Sequence, residues 1–472
     1  MITPDWIAAR LGAHGLLRES RTGTRPLRGA RQDSRSLRPG ELFVALKGER
    51  ADGHVHADAA LAAGAGGALL GDAGRYAALA AAHPDASLYL VTSPLGALQQ
   101  LAADYLASLG AVVVGVTGSN GKTATKDCCR ALLATLGPCY ASEGNFNNLI
   151  GLPMTVLAAP ADTRYLVLEM GCSGFGEIAA LAALFPPFAG IITNIGAAHL
   201  EQLGDLDGVA RAKGELAAAL PADGLLLLDA AGPYTARLAA RSRARLLRYG
   251  HGAGDLVLED LGPDGPGARR LRVDGQTLTL PRPWRHSQLA LGAAWLLART
   301  LGAAPEALAA AAPGAFRETN RGGTRPLGDW TVVDDSYNAN PDSMRAALEW
   351  LAAAPLPAEA RRWAVLGDML ELGDGAADLH RALGERAAVL GTAGAIAGLF
   401  AYGPLSRALV DAARAAGLDA AHFDDHAALA EALAARLAPG DLLLVKGSRG
   451  MAMETVIRLL ERAAARTGES RR

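Results

Sequence analysis

The run VVVGV at 112–116 leads straight into TGSNGKT at 117–123, and no other stretch constrains the chain as much. A short β-branched apolar block bounded by glycine fits a strand buried on both faces, which requires a sheet covered by helices. The glycines then release the chain into a helix, expected over 122–136. A strict phosphate loop places four residues between its first glycine and Gly-Lys-Thr. That place is Val116 here, with Gly115 one residue early, so the loop reads T-G-x-x-G-K-T. Its physics survives the change. Gly118 and Gly121 let the N–H groups around Ser119 and Asn120 converge on phosphate oxygens, and the helix aims its N-terminal dipole at the same point. Lys122 reaches terminal phosphates, and the Thr123 hydroxyl suits a magnesium ion.

Comparable apolar runs follow: YLVLEMG from Tyr165, AGIITNIG from Ala189 and GLLLLDA from Gly224, each ending in polar or small residues. Alternation of such strands with helices reads as a buried parallel sheet. After about residue 314 it begins afresh with WTVVDD, RWAVLGD, AIAGLFAYG, AAHFDD and DLLLVKGS, a second doubly wound unit that lacks the G-x-G-x-x-G dinucleotide fingerprint. Before about residue 92, ELFVAL, GGALL and SLYLV surround one alanine-rich helix, as in a small α/β module. A chain of 472 residues is too long for one core. The expected division is 1–92, 93–314 and 315–472, all α/β, with the central sheet parallel and the last domain Rossmann-like. No repeat of 20–50 residues is visible, and the tail RTGESRR is expected to fray.

A net charge of -2 with scattered basic residues argues against a nucleic-acid or membrane-surface binder. Four cysteines, Cys128, Cys129, Cys139 and Cys172, have neither zinc spacing nor the look of a disulfide framework, which fits a reducing cytoplasm. The N-terminus places Asp5 and Arg10 where a signal peptide needs its apolar centre. Alanine-rich runs are cut by glycine before they reach the ~20 apolar residues of a membrane span.

Glu169 ends an apolar strand, where a sheet presents an acid to its ligand crevice. His199 lies just past another strand end. Leu206, Val209, Lys213, Leu216 and Leu220 share one helical face, so Lys213 interrupts an apolar stripe and must snorkel, pair or change its charge state. Cys128 falls among small core positions of the loop helix. Asn340 followed by Pro341 reads as a helix cap. Lys446 and Arg449 stand at and just after the end of the strand LLLVK, a place where a bound carboxylate or phosphate could be met.

Nine motifs in order resemble the Mur ligases, ATP-dependent amide-forming enzymes of cell-wall precursor synthesis. They are DSRSLRPGELFVALKGERADGH, TGSNGKT, GNFNNLIGLP, LEMGCSGFGEI, TNIGAAHLE, ARAKGE, DDSYNANPDSM, LGDMLELG and LVKGSR, which together span nearly the whole chain. FVALKG, DDSYNANP and LGDMLELG point to the member that adds D-alanyl-D-alanine to a UDP-N-acetylmuramoyl tripeptide, in preference to a sister ligase or a folylpolyglutamate synthase. The resemblance implies ATP and two Mg2+ as cofactors, with Gly118 to Thr123 on the phosphates and Asp335, Tyr337 and Asn338 on ribose and base. It implies Mg2+ at Thr123 and Glu169 and a second ion helped by His199. Lys213 matches a lysine that carries CO2 as a carbamate in sister ligases. Ser34 and Arg35 match the uridine-diphosphate pocket, and Asn147 and Asn148 match the substrate loop. A monomer in the cytoplasm, free of nucleic acid and membrane, is implied. The family's Gly-Arg before the third domain is replaced by Gly314-Ala315, which leaves Arg317 or Arg321 to supply that cation.

Overall fold

The computed structural model describes residues 2–48, 51–265, 267–282, 284–316 and 320–470. Three sheets lie in chain order. The first has five strands, in the order Leu17–Arg21, Ser87–Val91, Gly67–Leu70, Leu42–Val44 and Ala30–Arg31, the first pairing antiparallel and the rest parallel. The three apolar members are those legible in the sequence. Leu17–Arg21 is polar and mostly exposed, so it carries no apolar run to announce it.

In the central nine-stranded sheet Val112–Thr117 lies between Tyr165–Glu169 and Ala189–Ile192, parallel to both. Side chains alternate between two cores. Val113, Leu166, Leu168, Leu226 and Leu228 enter one, while Val114, Val116, Tyr165, Val167, Leu225 and Leu227 enter the other. Period-two alternation with both faces apolar is what a fully buried strand requires. The first core runs on, through the helix Pro94–Leu109, into Leu42, Val44, Tyr89 and Val91 of the N-terminal sheet and Ile7 of the helix Pro4–Ala13. The first two sheets therefore share one hydrophobic core.

The central sheet ends in an antiparallel ribbon, Leu256–Pro263, Arg269–Val273 and Gln276–Leu280, which the expectation of a parallel sheet did not include. Its pattern has a half-buried period of two: Leu256, Leu258, Leu271, Val273, Leu278 and Leu280 face inward, and polar residues alternate with them. The Asp274-Gly275 turn has both residues at positive φ, +50° and +78°, as a tight hairpin demands.

The third sheet has the order Gly323–Leu327, Trp330–Asp335, Leu442–Lys446, Arg362–Gly367, Gly398–Tyr402 and Ala420–Phe423, parallel except at its first pairing. All five expected strands are present, and Gly323–Leu327 is added at the edge. No helix among the described residues is long and apolar enough to cross a membrane.

Asp441, fully buried, holds the start of this sheet together. Its carboxylate accepts from Arg361 N at 2.8 Å, Trp363 Nε1 at 2.9 Å and Ala438 N at 3.0 Å. Asp441→Ala strands these donors without an acceptor, so a loss of about 3 kcal/mol is expected. Urea denaturation of the two chains measures it, and a difference below about 1 kcal/mol would contradict this role.

Candidate functional site

The loop helix runs Lys122–Leu133, a turn shorter than the expected 122–136. Its N-cap is Gly121 at φ +78° with no side-chain cap, so the first N–H groups are left to the cavity. Gly118, at φ +145°, passes so close to Thr193 that a Cβ would lie 1.9 Å from the Thr193 hydroxyl oxygen. Thr193 Oγ1 donates to Asn120 O at 2.5 Å, Asn194 Oδ1 accepts from Asn120 N at 2.9 Å, and Ser119 Oγ receives Gly196 N at 2.9 Å. The segment after the neighbouring strand thus fixes the loop's backbone, and Asn194 takes up the Ser119 and Asn120 N–H groups expected on phosphate oxygens, which leaves that task to the N–H groups at the helix start. Lys122 folds its ammonium back onto Gly118 O at 2.7 Å.

Thr123 Oγ1 donates to Glu169 Oε2 at 2.7 Å, and Asn147 Nδ2 donates to Glu169 Oε1 at 3.1 Å. A hydroxyl and a buried carboxylate side by side form a hard-oxygen half-site, which suits an ion that takes its other ligands from water and bound phosphates. No cluster of three or more His, Cys, Asp or Glu able to hold a metal occurs among the described residues. Asn148 does something different: its Oδ1 accepts from Ile150 N and Gly151 N at the start of the helix Gly151–Ala158.

Lys213 is 1% exposed, and its ammonium meets Cys172 Sγ at 3.7 Å, which excludes snorkelling. Burial lowers its pKa. Val209 and Leu216 flank it in the core as the stripe requires, whereas Leu206 at the helix start is exposed. Cys128 is fully buried in the core of the loop helix. His199, at φ +54°, puts Nδ1 2.9 Å from Glu371 of the third domain. Burial lowers its pKa against the pull of that carboxylate.

The third domain closes the far wall. Asn340 caps the helix Pro341–Ala353 in a capping box with Ser343, and its Nδ2 also donates to Asn120 Oδ1 at 2.7 Å. Asp335 pairs with Lys446 at 2.6 Å, and Lys446 also donates to Asn338 O at 2.8 Å. The lysine expected to meet a ligand is thus engaged with the loop that carries Tyr337. Arg321 stacks on Tyr337 with its guanidinium carbon 3.6 Å from the ring centroid, and Arg449 pairs with Glu454 at 3.1 Å. Arg317 lies outside the described residues. A cavity of 1320 Å³ joins Lys122, Thr123, Asn147, Asn148, Glu169, His199, Arg321, Asp335, Tyr337, Asn338, Lys446 and Arg449. Ser34 and Arg35 stand apart from it on an exposed turn of the first domain, where Arg35 pairs with Asp33 at 2.8 Å.

Residues 27–106 match the model of the Mur ligase family, catalytic domain, 116–267 that of the Mur ligase middle domain, and 321–449 that of the Mur ligase, glutamate ligase domain. The UDP-N-acetylmuramoyl-tripeptide–D-alanyl-D-alanine ligase of Mycobacterium tuberculosis (strain ATCC 25618 / H37Rv) is 37% identical, over 90% of each chain. The chain belongs to the Mur ligase family. A crystal structure of MurF from Acinetobacter baumannii superposes with a TM-score of 0.82 at 27% identity, covering 98% of both chains. A MurF ligase from Thermotoga maritima, solved in complex with ADP, gives 0.77 at 28% identity, covering 94% of this chain and 99% of that one.

In this Mur ligase the cavity also has walls that sequence reasoning missed. Trp284 and His286 lie nearly parallel with ring centroids 6.0 Å apart, and Trp350 meets Trp284 edge-on at 4.8 Å. Burial pushes the His286 pKa down to about 4, so its ring is neutral at pH 7. Glu371, Asp342 and Cys172 were missed too. Each is recognisable by a partner more than 40 positions away in the chain or by a backbone contact such as Ala197 N to Asp342 Oδ2 at 3.4 Å.

Burial, reinforced by Lys213, lowers the Lys122 pKa to about 8. The free enzyme keeps the ammonium below that pH and loses it above. Affinity for a phosphate-bearing probe such as inorganic pyrophosphate is therefore expected to fall between about pH 7 and 9, by at most tenfold per pH unit. Calorimetric titration at constant ionic strength checks the sign, and an affinity that rises with pH would exclude Lys122 as the phosphate cation.

Proposed function

We propose that this chain is an ATP-dependent, ADP-forming ligase that joins D-alanyl-D-alanine to UDP-N-acetylmuramoyl tripeptide in peptidoglycan precursor synthesis. The observation that carries the reading is the meeting of the phosphate loop, the Glu169–Asn147 pair and the Asp335–Tyr337 loop around one cavity, in a chain so similar to ligases of that name. We take its working parts as residues 1–92 for the nucleotide-sugar, 93–314 for ATP and 315–472 for closing the site.

Phosphoryl transfer asks a protein chiefly for positioning and charge neutralisation. The uncapped N–H groups at the start of the loop helix would hold the ATP phosphates, and Lys122 would leave Gly118 O to meet the terminal one. Arg321 approaches from the third domain, while Asp335, Tyr337 and Asn338 receive the nucleoside. Thr123 and Glu169 would hold Mg2+, and His199 would help with a second ion. Such ions neutralise the charge that develops on the transferred phosphoryl group. Lys213, buried and with its pKa lowered, is suited to carry a carbamate, an anionic oxygen ligand for the same ions.

The peptide carboxylate, held by Asn147 and Asn148, attacks the γ-phosphorus and ADP leaves. The resulting acyl phosphate is attacked by the amine of D-alanyl-D-alanine, the tetrahedral adduct expels phosphate, and an amide remains. Water would destroy the acyl phosphate, so closure of the third domain has a chemical purpose. Ser34 and Arg35 hold the uridine diphosphate away from this chemistry, with Lys446 and Arg449 toward the incoming dipeptide. We assign the work to the cytoplasm, where ATP is available, and to a single chain, which supplies all these groups itself.

Phosphate release from ATP is expected to require both the UDP-tripeptide and D-alanyl-D-alanine, with a UDP-pentapeptide detected by mass spectrometry. Release indifferent to either would return the chain to a plain ATPase. Lys122→Ala is expected to lower turnover by at least about a thousandfold while UDP-tripeptide binding stays within about threefold. Equal loss of both would sink this division of labour.

A further inference from the structure

Arginine is the default cation of this chain. Of 46 Lys plus Arg residues five are lysines: Lys47, Lys122, Lys126, Lys213 and Lys446. A lysine in such a chain is a compact ammonium where a planar fork would not do. Lys47 is exposed, and Lys122, Lys213 and Lys446 have been placed above. Lys126 is 4% exposed and takes no part in the reaction just described.

Lys126 sits one turn beyond Lys122. Its ammonium donates to Ser142 O at 2.8 Å and lies 3.2 Å from Asp127 Oδ1. Ser142 follows the edge strand Cys139–Ala141, which pairs in parallel with Tyr165–Glu169, Ala141 opposite Val167. The ladder continues one step further, from Ser142 N to Val167 O at 3.1 Å. The next bond of a parallel ladder would run from Glu169 N to Ser142 O. Instead Glu169 N donates to the Ser142 hydroxyl at 3.1 Å, and the carbonyl faces Lys126.

We propose that Lys126 is a positioning residue of the ligase, which ends the edge strand by drawing the Ser142 carbonyl out of the ladder and so aims the following segment at Glu169. That segment carries Asn145, Asn147 and Asn148, all on the cavity wall, and Asn147 donates to Glu169. An ammonium buried this deeply needs its acceptor, and a carbonyl withdrawn from the ladder needs its donor, so each fixes the other. The kinetic part of this assignment rests on the ligase reading, whereas the geometric part does not.

Hydrogen-exchange mass spectrometry on the full chain with Lys126→Met tests it. Exchange over 142–151 is expected to rise about tenfold while 112–125 changes less than about twofold. The KM for the UDP-tripeptide should rise about tenfold, with kcat changed less. Unchanged exchange over 142–151, or acceleration spread equally along the loop helix, overturns the assignment. If Lys126→Met fails to fold, Lys126→Gln, whose amide still donates, is expected to restore the fold and the protection of 142–151; an equally unfolded Gln variant would show that the whole fold needs the ammonium and would overturn a role confined to 142–151. Altered exchange in a chain that ligates nothing would leave the geometry standing and remove the ligase reading.

Discussion

Burial of the strand Val112–Thr117 on both faces is the constraint from which the rest of the molecule follows. A strand that spends every side chain on two cores keeps its polar chemistry for its C-terminal end. Its neighbours are held in register, Val116 beside Glu169 and Thr117 beside Ile192. Three strand ends therefore open onto the same spot. The phosphate loop, Glu169 and the segment leading to His199 converge there because of sheet geometry, and their side-chain contacts refine a meeting the backbone has already arranged.

The charges at that spot are unequal. Lys122 and Glu169 line the cavity, while Lys213, buried beside Cys172, and Lys126, buried against Ser142 and Asp127, stand behind its wall. Lys122 feels Lys213 as a repulsion and Glu169 as a weaker attraction, in addition to the cost of burial. An anion placed beside Lys122 offsets that repulsion. Phosphates and carboxylates, the groups that the proposed reaction brings together, are the ligands that relieve it.

Much of this was legible in the sequence, for identifiable reasons. The loop, the apolar strands and Lys213 on its stripe are local patterns, and local patterns survive the loss of the third dimension. Glu169 was legible because it ends an apolar run. The antiparallel ribbon was missed although Asp274-Gly275 and the alternation of Leu271, Val273, Leu278 and Leu280 signal a hairpin. The polar edge strand Leu17–Arg21 has no such pattern, since its pairing with Ser87–Val91 does the stabilising. Glu371 and His286 were out of reach for another reason: their meaning lies in what they touch, His199 and Trp284, and periodicity reports no contact across domains.

The three domains are joined by two different materials. The first and second are fused through one continuous apolar core, from Ile7 and Tyr89 to Leu166 and Leu216. The third touches the phosphate loop and its surroundings through amides and ions, Asn120 to Asn340, Ala197 to Asp342, His199 to Glu371, while Trp284, just before the central domain's last long helix, is sunk in the third domain's own core. Polar contacts exchange for water at little cost, and apolar ones do not. The molecule is therefore built as two bodies and not three: one formed by the first two domains around their shared core, and a second joined to it by exchangeable hydrogen bonds and ions and by the apolar anchor of Trp284.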